Sequence, residues 1–316
     1  MADLPIELTD RSIVAARRDR NALDVGTPYS FLVEPERTHA GRIEDVATVF
    51  LTNRECPFKC LMCDLWQNTV EQTVPLGAIP RQIDFALQRL PPARHLKLYN
   101  SGNFFDAKAI PREDWPEIVE RARGFQSVIV ENHPKLCGPP CLDFRDRLAE
   151  HGVELEIAVG LETIHPEVLP RLNKQMTLDD YARAVAFLAE AGIRVRSFVL
   201  LRPPFLTEQE GVEWALRSVE FAFDRGVSCC AVIPTRAGNG MMEQLAAAGQ
   251  FSPPELSSLE TVLEEGIALK RGRVFVDLWD AQQFATCRRC VDARISRLAR
   301  MNLQQRSEVL IECADC

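Results

Sequence analysis

Arg54-Glu-Cys-Pro-Phe-Lys-Cys-Leu-Met-Cys-Asp-Leu-Trp66 is the stretch on which the reading of this chain turns. Cys56, Cys60 and Cys63 form a C-x3-C-x2-C pattern directly after a β-branched, apolar run at 46–52. Thiolates are soft ligands, and three on one loop can converge on a single inorganic centre. Electron-carrier clusters take four thiolates. A loop that offers three would leave one iron of a [4Fe–4S] cube open, as catalytic metals keep a position free for substrate. A structural zinc loop, or three unrelated buried thiols, would use the same letters, because short cysteine motifs also arise by chance.

Working outward, apolar runs at 46–52, 95–99, 127–130, 155–159, 193–201 and 229–233 read as strands. Between them lie amphipathic stretches at 82–90, 115–122 and 143–151, then two helices opened by capping boxes, Thr177 with Asp180 and Thr207 with Glu210. Gly152, Gly192 and Gly226 close three of the helices. Strands alternating with helices call for a parallel sheet, either doubly wound or curled into a barrel. Polar residues gather where the strands end: Asn100-Ser101-Gly102-Asn103, Glu131-Asn132-His133, Gly160-Leu161-Glu162-Thr163 and Thr235-Arg236. A barrel places its chemistry at that end. The expected architecture is an α/β, partial (βα)6 TIM-like barrel over 46–250. A lead-in segment at 1–45 precedes it, with a short exposed helix at 11–20 and an extended piece at 27–35. A small cysteine-bearing helical extension at 251–316 follows.

The cysteine loop after a first strand resembles that of the radical S-adenosylmethionine (radical SAM) enzymes. That resemblance implies that Cys56, Cys60 and Cys63 hold a [4Fe–4S] cluster whose fourth iron takes SAM. The cluster would reductively cleave SAM to methionine and a 5′-deoxyadenosyl radical for C–H abstraction. Met62 fills the place of the bulky residue beside the adenine, and Ser101-Gly102 that of the turn that receives the amino group, with Asn103 where the family has an acid. Glu131 resembles the strand-three acid of the branch containing coproporphyrinogen dehydrogenase, methylthiotransferases and the Elongator catalytic subunit. Glu162 stands for a ribose-binding Gln. Lys174 stands for an Arg that pairs with the SAM carboxylate, without the Arg fork. Ser101 to Asp106, Gly160 to Glu162 and Leu200 to Glu208 look like the radical SAM protein of archaeosine synthesis and its bacterial relatives. This implies a modified tRNA base or a small metabolite as substrate and a low-potential electron donor as partner.

Composition bounds the alternatives. The chain has 316 residues, 46% apolar and 26% charged, with a formal charge of −8. That charge argues against a protein that coats nucleic acid. No apolar run approaches the ~18 residues of a membrane span, and the amino-terminal residues carry no apolar signal core. Eleven cysteines grouped as C-x3-C-x2-C and C-x2-C suit metal ligation in a reducing cytoplasm. Cys287-x2-Cys290 and Cys313-x2-Cys316 form a second ligand set, for structural zinc or an auxiliary [4Fe–4S] cluster; spacing alone does not choose. Six arginines (288, 289, 294, 297, 300 and 306) lie between Cys287 and Arg306. Arg294, Arg297 and Arg300 are spaced to share a solvated helix face, the alternative being a phosphate contact. The reading from another class is a non-enzymatic iron–sulfur or zinc metalloprotein, an electron carrier or RNA-binding module.

Overall fold

The computed structural model describes residues 6–315, so Cys316 lies outside the described residues. Eight strands form one curled sheet in chain order: β1 Ser30–Arg37, β2 Ile43–Phe50, β3 His95–Tyr99, β4 Ser127–Asn132, β5 Glu154–Glu162, β6 Arg194–Leu201, β7 Cys229–Pro234 and β8 Arg273–Val276. Strands β2 to β8 pair in parallel and β1 pairs antiparallel with β2. The helices are α1 Asp10–Ala15, α2 Ala78–Leu87, α3 Trp115–Ala122, α4 Pro139–Ala149, α5 Val168–Arg171, α6 Leu178–Glu190, α7 Glu208–Asp224, α8 Met241–Ala247, α9 Leu256–Ala268 and α10 Val291–Gln304. This is a partial TIM-like barrel. No described helix is long and apolar enough to cross a membrane.

The local chemistry explains most of the elements. Thr177 and Thr207 each accept the N–H of their capping partner, Asp180 or Glu210, which bonds back to the threonine N–H. Tyr181, Val185 and Leu188 of α6, and Ala215, Val219 and Phe223 of α7, then fall on buried stripes. Gly192, after α6, has φ +69°, a left-handed turn that a side chain would strain. The alternation runs on past residue 250, where α9 packs against α7 and covers β8.

The lead-in segment is more structured than its sequence suggests. Residues 30–37 form an edge strand, and α1 is not simply exposed, since its Ile13 is buried with Leu61, Leu172, Met241 and Met242. β1 pairs along its length with β2, packs Phe31 and Val33 on the core, and is tied to the other strands by charge. Glu36 reaches across the concave face to Lys97 (2.5 Å) and Arg196 (2.6 Å). Arg196 and Arg273 in turn meet Glu156 at 2.8 and 3.5 Å. Arg273 also donates to the carbonyl of Arg37 at 3.0 Å. These groups fill the barrel floor, at the end where the parallel strands begin.

The sheet does not close between β8 and β1; α10 packs on both strands. Its Asn302 side chain accepts the Val276 N–H (3.0 Å) and donates to the Val276 carbonyl (2.8 Å). Gln305 does the same for Val274, at 2.8 Å each way. Two side-chain amides thus satisfy an edge that would otherwise be a template for another chain.

Candidate active site

The cysteine loop leaves β2 and is bonded from several directions. The Leu61 N–H donates to the Leu172 carbonyl at 2.8 Å. Asn173 donates to the Lys59 carbonyl at 2.7 Å. Asn239 donates to the carbonyls of Leu61 and Cys63 at 2.7 and 3.2 Å. Glu55 gathers Arg17 (2.8 Å), Arg20 and Lys59 around one carboxylate. Sequence reasoning missed Arg17, Arg20, Asn173 and Asn239 as positioning residues. A side chain that bonds a remote backbone carbonyl leaves no local pattern to find.

Within this frame the three thiols are half-buried. Burial raises all three above the ordinary cysteine value, Cys60 to about 12 despite the opposing charge of Lys174. A thiol so placed is a poor free nucleophile but a sound ligand, because a metal takes the proton's place. Among the described residues, only Cys287, Cys290 and Cys313 bring three ligand atoms within 4.8 Å of one another. At least one pair among the sulfurs of Cys56, Cys60 and Cys63 therefore lies more than 4.8 Å apart. Asn103 donates to Cys56 Sγ at 3.1 Å and accepts the His133 N–H at 2.7 Å.

The other expected residues surround this loop. Glu131 accepts the N–H groups of Asn100 (2.7 Å) and Gly102 (3.3 Å), which fixes the Ser101-Gly102 turn. Burial raises its carboxyl, against the pull of those bonds. A side chain on Gly102 would meet Cys56 Cβ at 3.3 Å, so the turn lies against the cysteine loop. Tyr29, in the lead-in, hydrogen-bonds the Ser101 hydroxyl at 2.8 Å. Met62 is half-buried against the Leu61 cluster.

Lys174 Nζ and Glu162 Oε1 are 2.5 Å apart, with both side chains only 9% exposed. Burial would lower the Lys174 ammonium, but Glu162 and Cys60 outweigh it and raise it to about 12. His133 accepts the Lys135 N–H at Nδ1 (3.2 Å) and bonds the Lys174 carbonyl through Nε2 (2.9 Å), so it is the neutral Nε2–H tautomer. Burial, with Lys174 nearby, depresses it to about 3. Its ring stacks on Phe58 of the cysteine loop at 3.7 Å.

Two observations test whether this cleft fits a cluster and its SAM. Asn100 is fully buried, yet neither side-chain atom has a partner; a buried amide left so costs about 1–3 kcal/mol per group until something binds it. Ser101, Glu162, Asn173 and Arg202, all near the chemistry-bearing end of the sheet, have φ between 51° and 66°. Strain of that kind, about 1–3 kcal/mol each, collects at ligand clamps. The donor set, the orphaned amide and the strained turns fit the group.

The second cysteine set also assembles: Cys287 Sγ and Cys313 Sγ are 3.9 Å apart. Its arginines do not form the solvated face that their spacing suggests. Arg294 is paired with Glu260 (2.7 Å), Arg297 is buried against Glu264, and Arg300 meets Glu308 (2.8 Å). Acids some 30 residues away in sequence, or beyond the helix end, neutralise that face. The same pairing leaves those three with little to offer a phosphate. Cys141 is buried within α4, and Cys137 bonds the His133 carbonyl, as ordinary thiols would.

These features suit a site for an iron–sulfur cluster and SAM, and comparison with known proteins gives the family. The profile of the radical SAM superfamily matches residues 50–217, and the chain belongs to that superfamily. It is a radical SAM enzyme, of a class that works with a [4Fe–4S] cluster and SAM. An uncharacterized protein of Methanocaldococcus jannaschii is 23% identical over 263 residues, covering 78% of this chain and 72% of its own. Archaeosine synthase subunit beta of Thermococcus kodakarensis is 26% identical over 213 residues, 65% of each chain. The match thus spans about two thirds of these relatives' length. Among solved structures, Streptococcus suis SuiB bound to its precursor peptide SuiA aligns with TM-score 0.53 at 12% identity, over 73% of this chain and 49% of that one. The Methanocaldococcus infernus Elp3 aligns with TM-score 0.50 at 15% identity, over 73% and 56%. These two likenesses carry the fold.

Proposed function

We propose that Cys56, Cys60 and Cys63 hold a [4Fe–4S] cluster with one iron left for SAM. The Ser101-Gly102 turn, Glu131, Glu162, Lys174 and Met62 seat that molecule. When bound, the cluster would supply the electron for reductive cleavage of SAM to methionine and a 5′-deoxyadenosyl radical, and that radical would take hydrogen from a substrate C–H bond. The protein's part is placement. Lys174 presents an ammonium to the SAM carboxylate, and Glu162 accepts from the ribose hydroxyls. Glu131 holds the turn whose carbonyls face the amino group, Met62 covers the adenine, and burial excludes water from the radical. The observation that carries this reading is the gathering of three half-buried thiols, the Lys174–Glu162 pair and the unpartnered Asn100 at one end of the sheet.

Residues 46–250 carry this chemistry and 251–316 form the extension, with β8 joining the barrel from it. The relatives named archaeosine synthase subunit beta favour a modified base in tRNA as substrate. A low-potential donor supplies the electron. Cysteines that form no disulfide among the described residues suit a reducing cytoplasm. The test is anaerobic reconstitution of the full chain, followed by an assay for 5′-deoxyadenosine with a chemical reductant. Nucleoside formation that Cys60→Ala abolishes, and that undermodified tRNA stimulates, is the expected result. A fully loaded cluster that yields no nucleoside refutes the enzyme reading, and indifference to tRNA refutes the substrate reading alone.

A further inference from the structure

We propose that Cys287, Cys290 and Cys313 bind a single zinc ion, for which the sequence offers Cys316, outside the described residues, as a fourth thiolate, and that this ion locks α10 over the free edge of the sheet. Distance favours a single ion. Four thiolates at the usual Zn–S length of about 2.3 Å sit about 3.8 Å apart around a tetrahedral ion. Thiolates on separate corners of an iron–sulfur cube point outward from different irons and stand about 6 Å apart. Cys287 and Cys313 are 3.9 Å apart, and all three described sulfurs lie within 4.8 Å of one another. The cysteines of the loop at 56–63 do not meet that limit, so one chain holds two thiolate sets at two spacings.

The fold also brings the set together by other means. Cys290 is the residue from which α10 starts. The chain then runs the length of that helix and turns back, and the returning tail is fastened along the way. Arg297, 1% exposed at its side chain, donates to the carbonyls of Glu308 (2.6 Å) and Val309 (2.9 Å). Arg300 pairs with Glu308 and Arg289 with Asp315 (3.0 Å). The tail thus returns Cys313 to the start of the helix, 26 residues beyond Cys287. With the fourth thiolate that the sequence offers in Cys316, no position would stay open and the ion would be structural.

Its consequence follows from the far end of the helix. Asn302 of α10 and Gln305, which caps that helix, satisfy the backbone of Val276 and Val274 on the open side of β8. An ion at one end of α10 and Arg297 along its length keep those amides in register with the strand. Losing the metal frees the tail and uncovers an edge that can pair with another chain.

The test uses the full chain, purified and reconstituted without oxygen, with metals quantified and the zinc edge measured by X-ray absorption. About one zinc and about four irons per chain are expected, the zinc surrounded by four sulfurs at about 2.3 Å. Cys287→Ser with Cys290→Ser is expected to lose the zinc, keep all the irons and aggregate on mild warming. Cys56→Ala with Cys60→Ala and Cys63→Ala is expected to lose the irons and keep the zinc. The unmutated protein gives the absorption result even if a variant fails to fold. About eight irons without zinc, a mononuclear iron in the zinc's place, or a zinc shell of nitrogen and oxygen overturns the assignment.

Discussion

Gly160 offers a way to move the Lys174–Glu162 pair without touching either residue. A Cβ at this position would lie 2.3 Å from Glu162 Oε1 and 2.5 Å from Lys174 Nζ, where ordinary contact begins at 3.4 Å. Each group must retreat by about 1 Å to restore normal packing. Both are the far ends of flexible side chains, and no positive φ opposes a side chain at Gly160, so Gly160→Ala is expected to fold. What it forfeits is the placement of the ammonium. A hydrogen bond to a charged group contributes about 1.5–3 kcal/mol, which is a loss of about 10- to 150-fold in affinity. Equilibrium dialysis of SAM against the anaerobically loaded protein should show that loss, with iron content unchanged. Lys174→Met should weaken SAM at least as much and also destabilise the fold, because it strands a buried Glu162. If Gly160→Ala and Lys174→Met both bind SAM as the unmutated protein does, the role given to Lys174 is wrong.

Three other perturbations probe the frame. Asn239→Ala should release the Leu61 and Cys63 carbonyls and lower the iron retained after reconstitution, at a cost of about 1–3 kcal/mol; full iron loading with an unchanged Tm would contradict this. Glu131→Gln keeps an oxygen for the Asn100 and Gly102 N–H groups, whereas Glu131→Ala does not. The Ala variant should therefore lose SAM affinity by about tenfold or more and the Gln variant far less, as dialysis would show. Glu36→Ala leaves Lys97 and Arg196 under-compensated in the floor, which costs about 3–5 kcal/mol and lowers Tm by about 5–8 °C for a chain of this size. Burial alone would raise the Glu36 carboxyl, but Arg196 and Lys97 outweigh it and hold it far below the ordinary 4.5. Its stabilisation is therefore complete above that value and fades as pH falls below it. Melting curves of variant and unmutated protein should differ at neutral pH and converge in acid.

The sheet was legible in the sequence wherever the strands are apolar. The runs beginning at His95, Ser127 and Cys229 start where β3, β4 and β7 start, because burial on both faces of a parallel strand writes a continuous apolar signal. The edge strand β1 was not legible as a strand, since Glu34, Pro35 and Glu36 look like loop residues until Lys97 and Arg196 supply their partners. The same holds for α10, whose arginines read as solvated because Glu260 and Glu264 lie on another helix. At the site, residues that sit beside a motif were found, and residues that brace it from a distance were not. Glu131, Glu162 and Lys174 followed from position in a pattern. Asn239 and Arg17 act on backbone or on a remote carboxylate, and nothing within their own neighbourhood announces that.

The filled floor makes this barrel a vessel with one mouth. On the proposed chemistry, methionine, nucleoside and altered substrate would leave by the mouth opposite those ion pairs. A bulky substrate seated there would cork the smaller products beneath it. Turnover would then run last in, first out, and added 5′-deoxyadenosine should compete with SAM while leaving the large substrate's own docking untouched.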